Sequence, residues 1–356
     1  MPTRFSDPAG QPFGFVSAAE GFVFLSAFLA AYVGTHRAQT QGLSAMRQWL
    51  RYRLGAVYAC HVCLLAFLFL VAVPIGEAQG QKAITNLASH FLSSPQWAAA
   101  QAASLLYNPP LLDILPLYVV FLLATPFLLI VAQRRGWVAI LAGSGSLWLL
   151  AQLGVGHRLF AVLAYVAGSD LPYGQTGAFS FLAWQFMWVL GLWVGHAFAT
   201  KPAESHRPPQ WVGILALAYA AVWFIWRHTT GQAPEPHGGE LNALFDKWTL
   251  GPMRLLDFLS LAVAILALAP RNARWLLPSW LVQLGRAALP AFCAHIVICL
   301  VALAFIGAAN PERPILVDIA LLAAAFASMF AAAGLATLVR SRPRAQPSAA
   351  SAFGAD

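Results

Sequence analysis

The chain has 356 residues, of which 60% are hydrophobic and 10% charged, and its mean hydropathy is +0.68. A soluble domain carries about 25% charged residues, so this composition excludes an ordinary soluble fold and requires helices solvated by lipid. The net charge of +8 does not mark a nucleic-acid binder, because the basic residues are scattered through short loops with no patch of interleaved aromatics.

The opening MPTRFSDPAGQP lacks the basic-then-apolar order of a cleaved signal, so the first apolar run is expected to stay in the protein. Apolar runs long enough to cross a bilayer predict nine spanning helices. In chain order they are Phe15–Gly34, Leu54–Pro74, Leu111–Ala132, Trp137–Val155, Gly177–Phe198, Gln210–Trp226, Arg254–Pro270, Ala287–Gly307 and Ile315–Leu338. His157–Gly168 is apolar but too short to span, and reads as an interfacial or re-entrant piece. The fold class is therefore all-α, a polytopic transmembrane helix bundle in one domain over residues 1–340. The remainder, 341–356, has the composition of a disordered tail.

Alternate loops hold fourteen and seven of the 21 Lys and Arg. The positive-inside rule then places the C-terminus in the cytoplasm and the N-terminus in the periplasm. Acidic residues segregate the other way: of thirteen, all but Glu204 and Asp356 fall on the outer side. Two outer loops, Ile75–Pro110 and Arg227–Met253, are long enough to act as caps.

Charges inside such helices need a partner or a purpose. Glu20, Asp113, Asp257 and Asp318 all sit toward the outer ends of their helices, with Arg158 and Arg254 at the same level. One outward-opening polar cavity would let them neutralise one another. For Glu20 a purely structural ion pair is the competing reading, and for Asp318 a charge at an interfacial helix start. His295, near the middle of its helix, and His61 each suit proton transfer or helix packing. Trp184 and Gln185, in FLAWQFMWVLG, suit either sugar stacking with amide hydrogen bonding or interface anchoring. Arg47 and Arg51 share a helix face in RQWLRYRL with Arg53 adjacent, a set that can grip phosphates or clamp anionic lipid. Cys60, Cys63, Cys293 and Cys299 lie in apolar runs without the paired ligands of a metal site, so no metal is expected.

Several segments resemble one family. FGFVSAAEGFVFLSAF is similar to a membrane helix of the OpgC-type proteins, osmoregulated periplasmic glucan succinyltransferases, which are related to the membrane acyltransferase-3 superfamily. RYRLGAVYACHVCLL, YNPPLLDILPLYVVFLL, FSFLAWQFMWVLG, LGPMRLLDFLSLA and LPAFCAHIVICL follow in that family's order, from about Phe13 to Leu335. The resemblance implies transfer of an acyl group, often succinyl from a CoA thioester, to a hydroxyl of an extracytoplasmic glucan. It also implies the bacterial inner membrane as location and acyl-CoA as co-substrate, with no bound cofactor. Glu20, Asp113, Gln185, Arg254 and His295 match family positions.

Two departures accompany the resemblance. The family's usual first helix, bearing an Arg-x4-Asp-x2-Arg-Gly motif and a membrane histidine that acts as base, has no counterpart before Phe13. Ala27 also replaces a usual glycine. The expectation is thus a chain lacking that helix or one using another base, with His295 beside a carboxylate such as Glu20 as the best candidate present. In this reading Glu20, His295 and Asp113 are catalytic, while Trp184, Gln185, Arg254, Asp257 and Arg158 bind the acceptor. Arg47, Arg51 and Arg53 hold the acyl-CoA. A transporter or flippase for a sugar-lipid or organic anion, and an inactive partner subunit, are the alternatives.

Overall fold

A computed structural model describes residues 10–168, 170–235, 238–270, 277–310 and 312–341, together with Thr3 and Phe5. The polypeptide is about 78% helix, and among the described residues the only strand-like feature is an isolated bridge between Phe13 and Val16. The tail beyond residue 341 lies outside the described residues.

The predicted helices are present with shifted ends. α1 covers Ala18–Gln41 and α2 covers Leu43–Ala78, a 36-residue helix with a π-helical stretch at Leu68–Ala72. That widened turn immediately precedes Pro74, whose ring would collide with the carbonyl four residues earlier in a regular helix. The first long loop then folds as three short helices, α3 (Lys82–Leu87), α4 (Ser89–Ser93) and α5 (Pro95–Ala103). They are held by fully buried Ile84, Ala88, Ala98, Ala102 and Tyr107, so the segment is a packed cap.

α6 is Ile114–Arg135, α7 Val138–Gln152 and α8 Val155–Ala167. The expected single span from Trp137 to Val155 ends early, because the chain turns by 84° between α7 and α8 at left-handed Gly154. α8 therefore runs across the direction of α7, the geometry of a broken span or a re-entrant segment. α9 is Phe181–Thr200, α10 Gln210–Thr230, and α11 (Glu240–Leu244) is a short turn of helix in the second long loop. α12 (Pro252–Leu268), α13 (Ser279–Arg286), α14 (Ala288–Phe305) and α15 (Ile315–Ser341) complete the bundle. Seven of these helices are long and apolar enough to cross a membrane, and the bent α7–α8 pair makes an eighth if it is one span. α12, at 17 residues, is the seventh predicted segment and packs along α10.

Lipid gives helices no hydrophobic reason to associate, so close approach of small residues has to supply the packing. α1 and α9 meet through Gly191 and Gly195, where an added Cβ would lie 2.5 Å from Phe24 O and 2.2 Å from Phe28 O. Gly213 of α10 admits Ala267 of α12 in the same way, at 2.4 Å. The starts of α1, α6, α9 and α12 meet at one end of the bundle through Phe22–Tyr118, Asp113–Ala178 and Glu20–Arg254 contacts, the end that the charge count assigns to the outside.

Candidate functional site

The site is built at that end. Ser17 caps α1 in a capping box: the Ser17 amide N–H donates to Glu20 Oε2 at 2.9 Å and its hydroxyl donates to the same oxygen at 2.7 Å. The other Glu20 oxygen, Oε1, accepts from Arg254 Nε. Glu20 is 0% exposed and Arg254 1% exposed, so the pair is wholly withdrawn from solvent and lipid. Both carboxylate oxygens of Glu20 are engaged.

Arg254 and Asp257 stand one turn apart near the start of α12, which Pro252 opens. Phe15 N–H donates to Asp257 Oδ2 at 3.1 Å. Gly14, at φ +85°, permits this approach, since a Cβ there would lie 2.7 Å from Asp257 Oδ2. Phe15, Trp223 and Phe245 roof the group, with Phe15–Phe245 centroids 4.6 Å apart and Trp223–Phe245 4.7 Å apart. Arg254 Nη1 donates to Phe245 O at 3.4 Å. Two buried atoms have no partner among the described residues, Arg254 Nη2 and Asp257 Oδ1. An unmet buried donor or acceptor costs roughly 1–3 kcal/mol, which a ligand presenting both an acceptor and a hydroxyl to this cluster would recover.

A residue that sequence reasoning passed over, Lys247, closes the cluster. Its ammonium lies 5.6 Å from the Phe179 ring centroid and 5.1 Å from that of Trp248. It interacts electrostatically with Glu20, Arg254 and Asp113; burial pushes its pKa below the ordinary lysine value, and the two carboxylates oppose that. Trp184 carries this loop, its Nε1–H shared between Lys247 O and Trp248 O at 3.2 Å each. Trp184 is fully buried, so its ring supports the site from behind and offers no free face. Asp113, immediately before α6, accepts from Ala178 N–H at 3.0 Å. Burial pushes its carboxyl above the ordinary aspartate value, and the Ala178 bond pulls against the shift.

The remaining candidates lie elsewhere. The Gln185 amide donates to Ser144 O at 2.8 Å and accepts from Ser144 Oγ at 2.6 Å, tying α9 to α7 away from the cluster. Arg158 is exposed on α8. Asp318 pairs with Arg313 at the start of α15, where Arg313 Nε donates at 2.9 Å. Glu20 and His295 do not meet, because positions 20 and 22 point to opposite sides of a helix at 100° per residue. Glu20 faces α12, whereas Phe22 stacks on Phe292 of α14 at 5.6 Å, three residues before His295. His295 Nε2 lies 3.5 Å from Cys299 Sγ, and its Nδ1 has no partner among the described residues. His61 meets Ala102 O of the cap at 3.3 Å.

Arg47 and Arg51 are exposed on the first turns of α2, while Arg53 turns inward beside Trp49 and Tyr118. The four cysteines are free thiols. Among the described residues no three His, Cys, Asp or Glu side chains gather as metal ligands.

No curated protein and no solved structure matches the chain. A family model described as OpgC protein matches residues 2–341, spanning every element of the bundle and all of the residues discussed above. The protein belongs to the OpgC family.

Proposed function

We propose that the protein is an O-acyltransferase of the bacterial inner membrane that moves an acyl group, succinyl in the leading case, from acyl-CoA to a hydroxyl of a periplasmic glucan. Family membership supports the membrane acyltransferase class. The observation that carries the reading to residues is the pair of unmet buried atoms, Arg254 Nη2 and Asp257 Oδ1, held in one charge cluster.

In the proposed reaction the acceptor hydroxyl donates its proton to Asp257 Oδ1 as its oxygen attacks the thioester carbonyl. The new C–O bond forms, the C–S bond breaks, and the proton passes on to the departing CoA thiolate. Arg254 Nη2 donates to the carbonyl oxygen as negative charge develops there. Glu20, with both oxygens occupied, is a positioning residue that fixes the Arg254 guanidinium. Asp113 and Lys247 extend the polar surface on the acceptor side, and Trp184 holds Lys247 in place. Arg47 and Arg51 receive the CoA phosphates at the other face, with Arg53 leading inward. His295, on the α14 side of α1, is a second candidate base: like His61, it has an Nδ1 without a partner among the described residues.

The test is transfer from a labelled acyl-CoA to glucan by the full chain in proteoliposomes. Asp257→Asn is expected to lower kcat by a hundredfold or more while KM for acyl-CoA changes little. A loss confined to His295→Ala, with Asp257→Asn active, would move proton transfer to the histidine. Uptake of label without covalent transfer would replace the enzyme by a transporter.

A further inference from the structure

A cavity of about 290 Å³ opens beside this cluster, between the loop before α6, helix α8 and the segment leading into α9. Its walls are apolar, leucines together with the rings of Phe160, Tyr173 and Phe179; among its polar residues, beside Thr176 and Ser180, are Asn108 and Asp113, each 7% exposed. The Asn108 amide is held in one orientation. Its Nδ2 donates to Leu105 O at 3.2 Å and to Thr176 O at 2.6 Å, so both amide protons are engaged by carbonyls. Chemistry thereby fixes which side of the amide is oxygen, and Oδ1 is left buried with no partner among the described residues.

The backbone around Asn108 is strained to keep it there. Leu105 and Leu111 both adopt left-handed φ, at 68° and 74°, which a branched side chain resists. Gly177 packs against both polar residues at φ +105°, and a Cβ there would lie 3.2 Å from Asp113 Cβ and 3.3 Å from Asn108 Cβ.

This lining selects a ligand class. Among the described residues lining the cavity there is no Lys or Arg, so a phosphate or a free carboxylate would enter without a counter-charge. The Asn108 oxygen and the Asp113 carboxylate accept hydrogen bonds, so the ligand must donate them. Aromatic faces carry a negative quadrupole that suits C–H-bearing surfaces. A ring with hydroxyls at its edge and C–H groups on its faces meets all three conditions, and the volume, at the small end for ligand pockets, suits one ring. We infer that this cavity is a subsite for a single neutral sugar ring of the acceptor, with Asn108 Oδ1 and Asp113 accepting from its hydroxyls and Tyr173 and Phe160 flanking it. The inference rests on the acyl-transfer reading for its biological role but not for the binding itself. Lys247, whose ammonium lies 5.6 Å from the centroid of the cavity-lining Phe179 ring, stands between the cavity and the cluster.

The test uses the full chain in nanodiscs and a neutral glucose tetrasaccharide, with binding read by calorimetry. Gly156→Leu fills the cavity from the α8 side, with neither Asn108 nor Asp113 among the atoms nearest the new Cβ, which would lie 3.6 Å from Tyr173 Oη, 3.7 Å from Leu182 Cδ1 and 3.9 Å from Ser180 Oγ, all ordinary contacts. Gly156→Leu is expected to weaken tetrasaccharide binding at least tenfold with the melting temperature unchanged, and Asn108→Ala to weaken it similarly. In transfer assays the same variants are expected to raise KM for glucan tenfold and to leave KM for acyl-CoA within twofold.

Tetrasaccharide binding that ignores Gly156→Leu, or no binding by the wild type, overturns the subsite even if transfer proceeds. Binding that Gly156→Leu abolishes in a chain that transfers nothing keeps the subsite and overturns the acyl-transfer reading.

Discussion

Replacing Glu20 by Gln removes one charge from a pair in which neither side chain reaches solvent. The remaining oxygen of Gln can still accept from Ser17, so the helix cap survives in part. What is lost is the charge-assisted bond to Arg254 Nε, about 1.5–3 kcal/mol. Arg254 also becomes an uncompensated buried cation, and breaking one side of such pairs costs roughly 3–5 kcal/mol in total. Glu20→Gln is therefore expected to lose that much stability in detergent-denaturant unfolding, together with transfer activity. The cycle is completed by Arg254→Met, because replacing a whole buried pair by less polar groups is often close to neutral. The double variant Glu20→Gln/Arg254→Met is expected to be at least about 2 kcal/mol more stable than Glu20→Gln alone, yet inactive. Full stability of Glu20→Gln with activity lost would refute the positioning role and make Glu20 a reacting group.

Gly195→Ala puts a Cβ 2.2 Å from the backbone oxygen of Phe28, so α1 and α9 must part; a loss of about 1–3 kcal/mol is expected in the same unfolding assay, against no loss for Gly145→Ala, whose nearest neighbour is 3.7 Å away. Trp184→Phe removes the donor shared by Lys247 O and Trp248 O, and kinetics should show a raised KM for glucan with about 1–2 kcal/mol less stability. Asp113, whose folded carboxyl is raised by burial, binds its proton more tightly when folded. Its contribution to stability is thus full below the unfolded value of about 3.9 and falls as pH rises through the raised folded value. Melting of the wild type across pH 4 to 8 should therefore decline more steeply than that of Asp113→Asn; parallel curves would contradict the burial argument.

The bundle was legible because twenty-residue apolar runs leave lipid as the only adequate solvent, and all nine runs are helical. Ends were less legible for local reasons. Gly154 supplies a left-handed turn that breaks the fourth run, and the apolar faces of Ile84 and Ala88 fold a loop into a cap. For the site, depth alone placed Glu20, Arg254 and Asp257 together. Depth could not give direction around the helix: Glu20 faces α12, whereas His295 lies on the α14 side of α1. Gln185 was read as an acceptor-binding residue from its place beside Trp184 and from the family resemblance, whereas its partner Ser144 comes from a helix whose facing is set by packing. Ser17–Ala–Ala–Glu20 is a capping-box pattern, and it was the available sign that Glu20 begins a helix. Lys247 and Asn108 carried no such signal, since their roles come from loops folded over the helix starts.

The most direct measurement is mass spectrometry of periplasmic glucan from cells without their own acyltransferase, expressing this chain as wild type or Asp257→Asn at equal membrane abundance. Acylated glucan from the wild type and none from Asp257→Asn is the result this account requires. Unmodified glucan from both, or equal acylation from both, would contradict it.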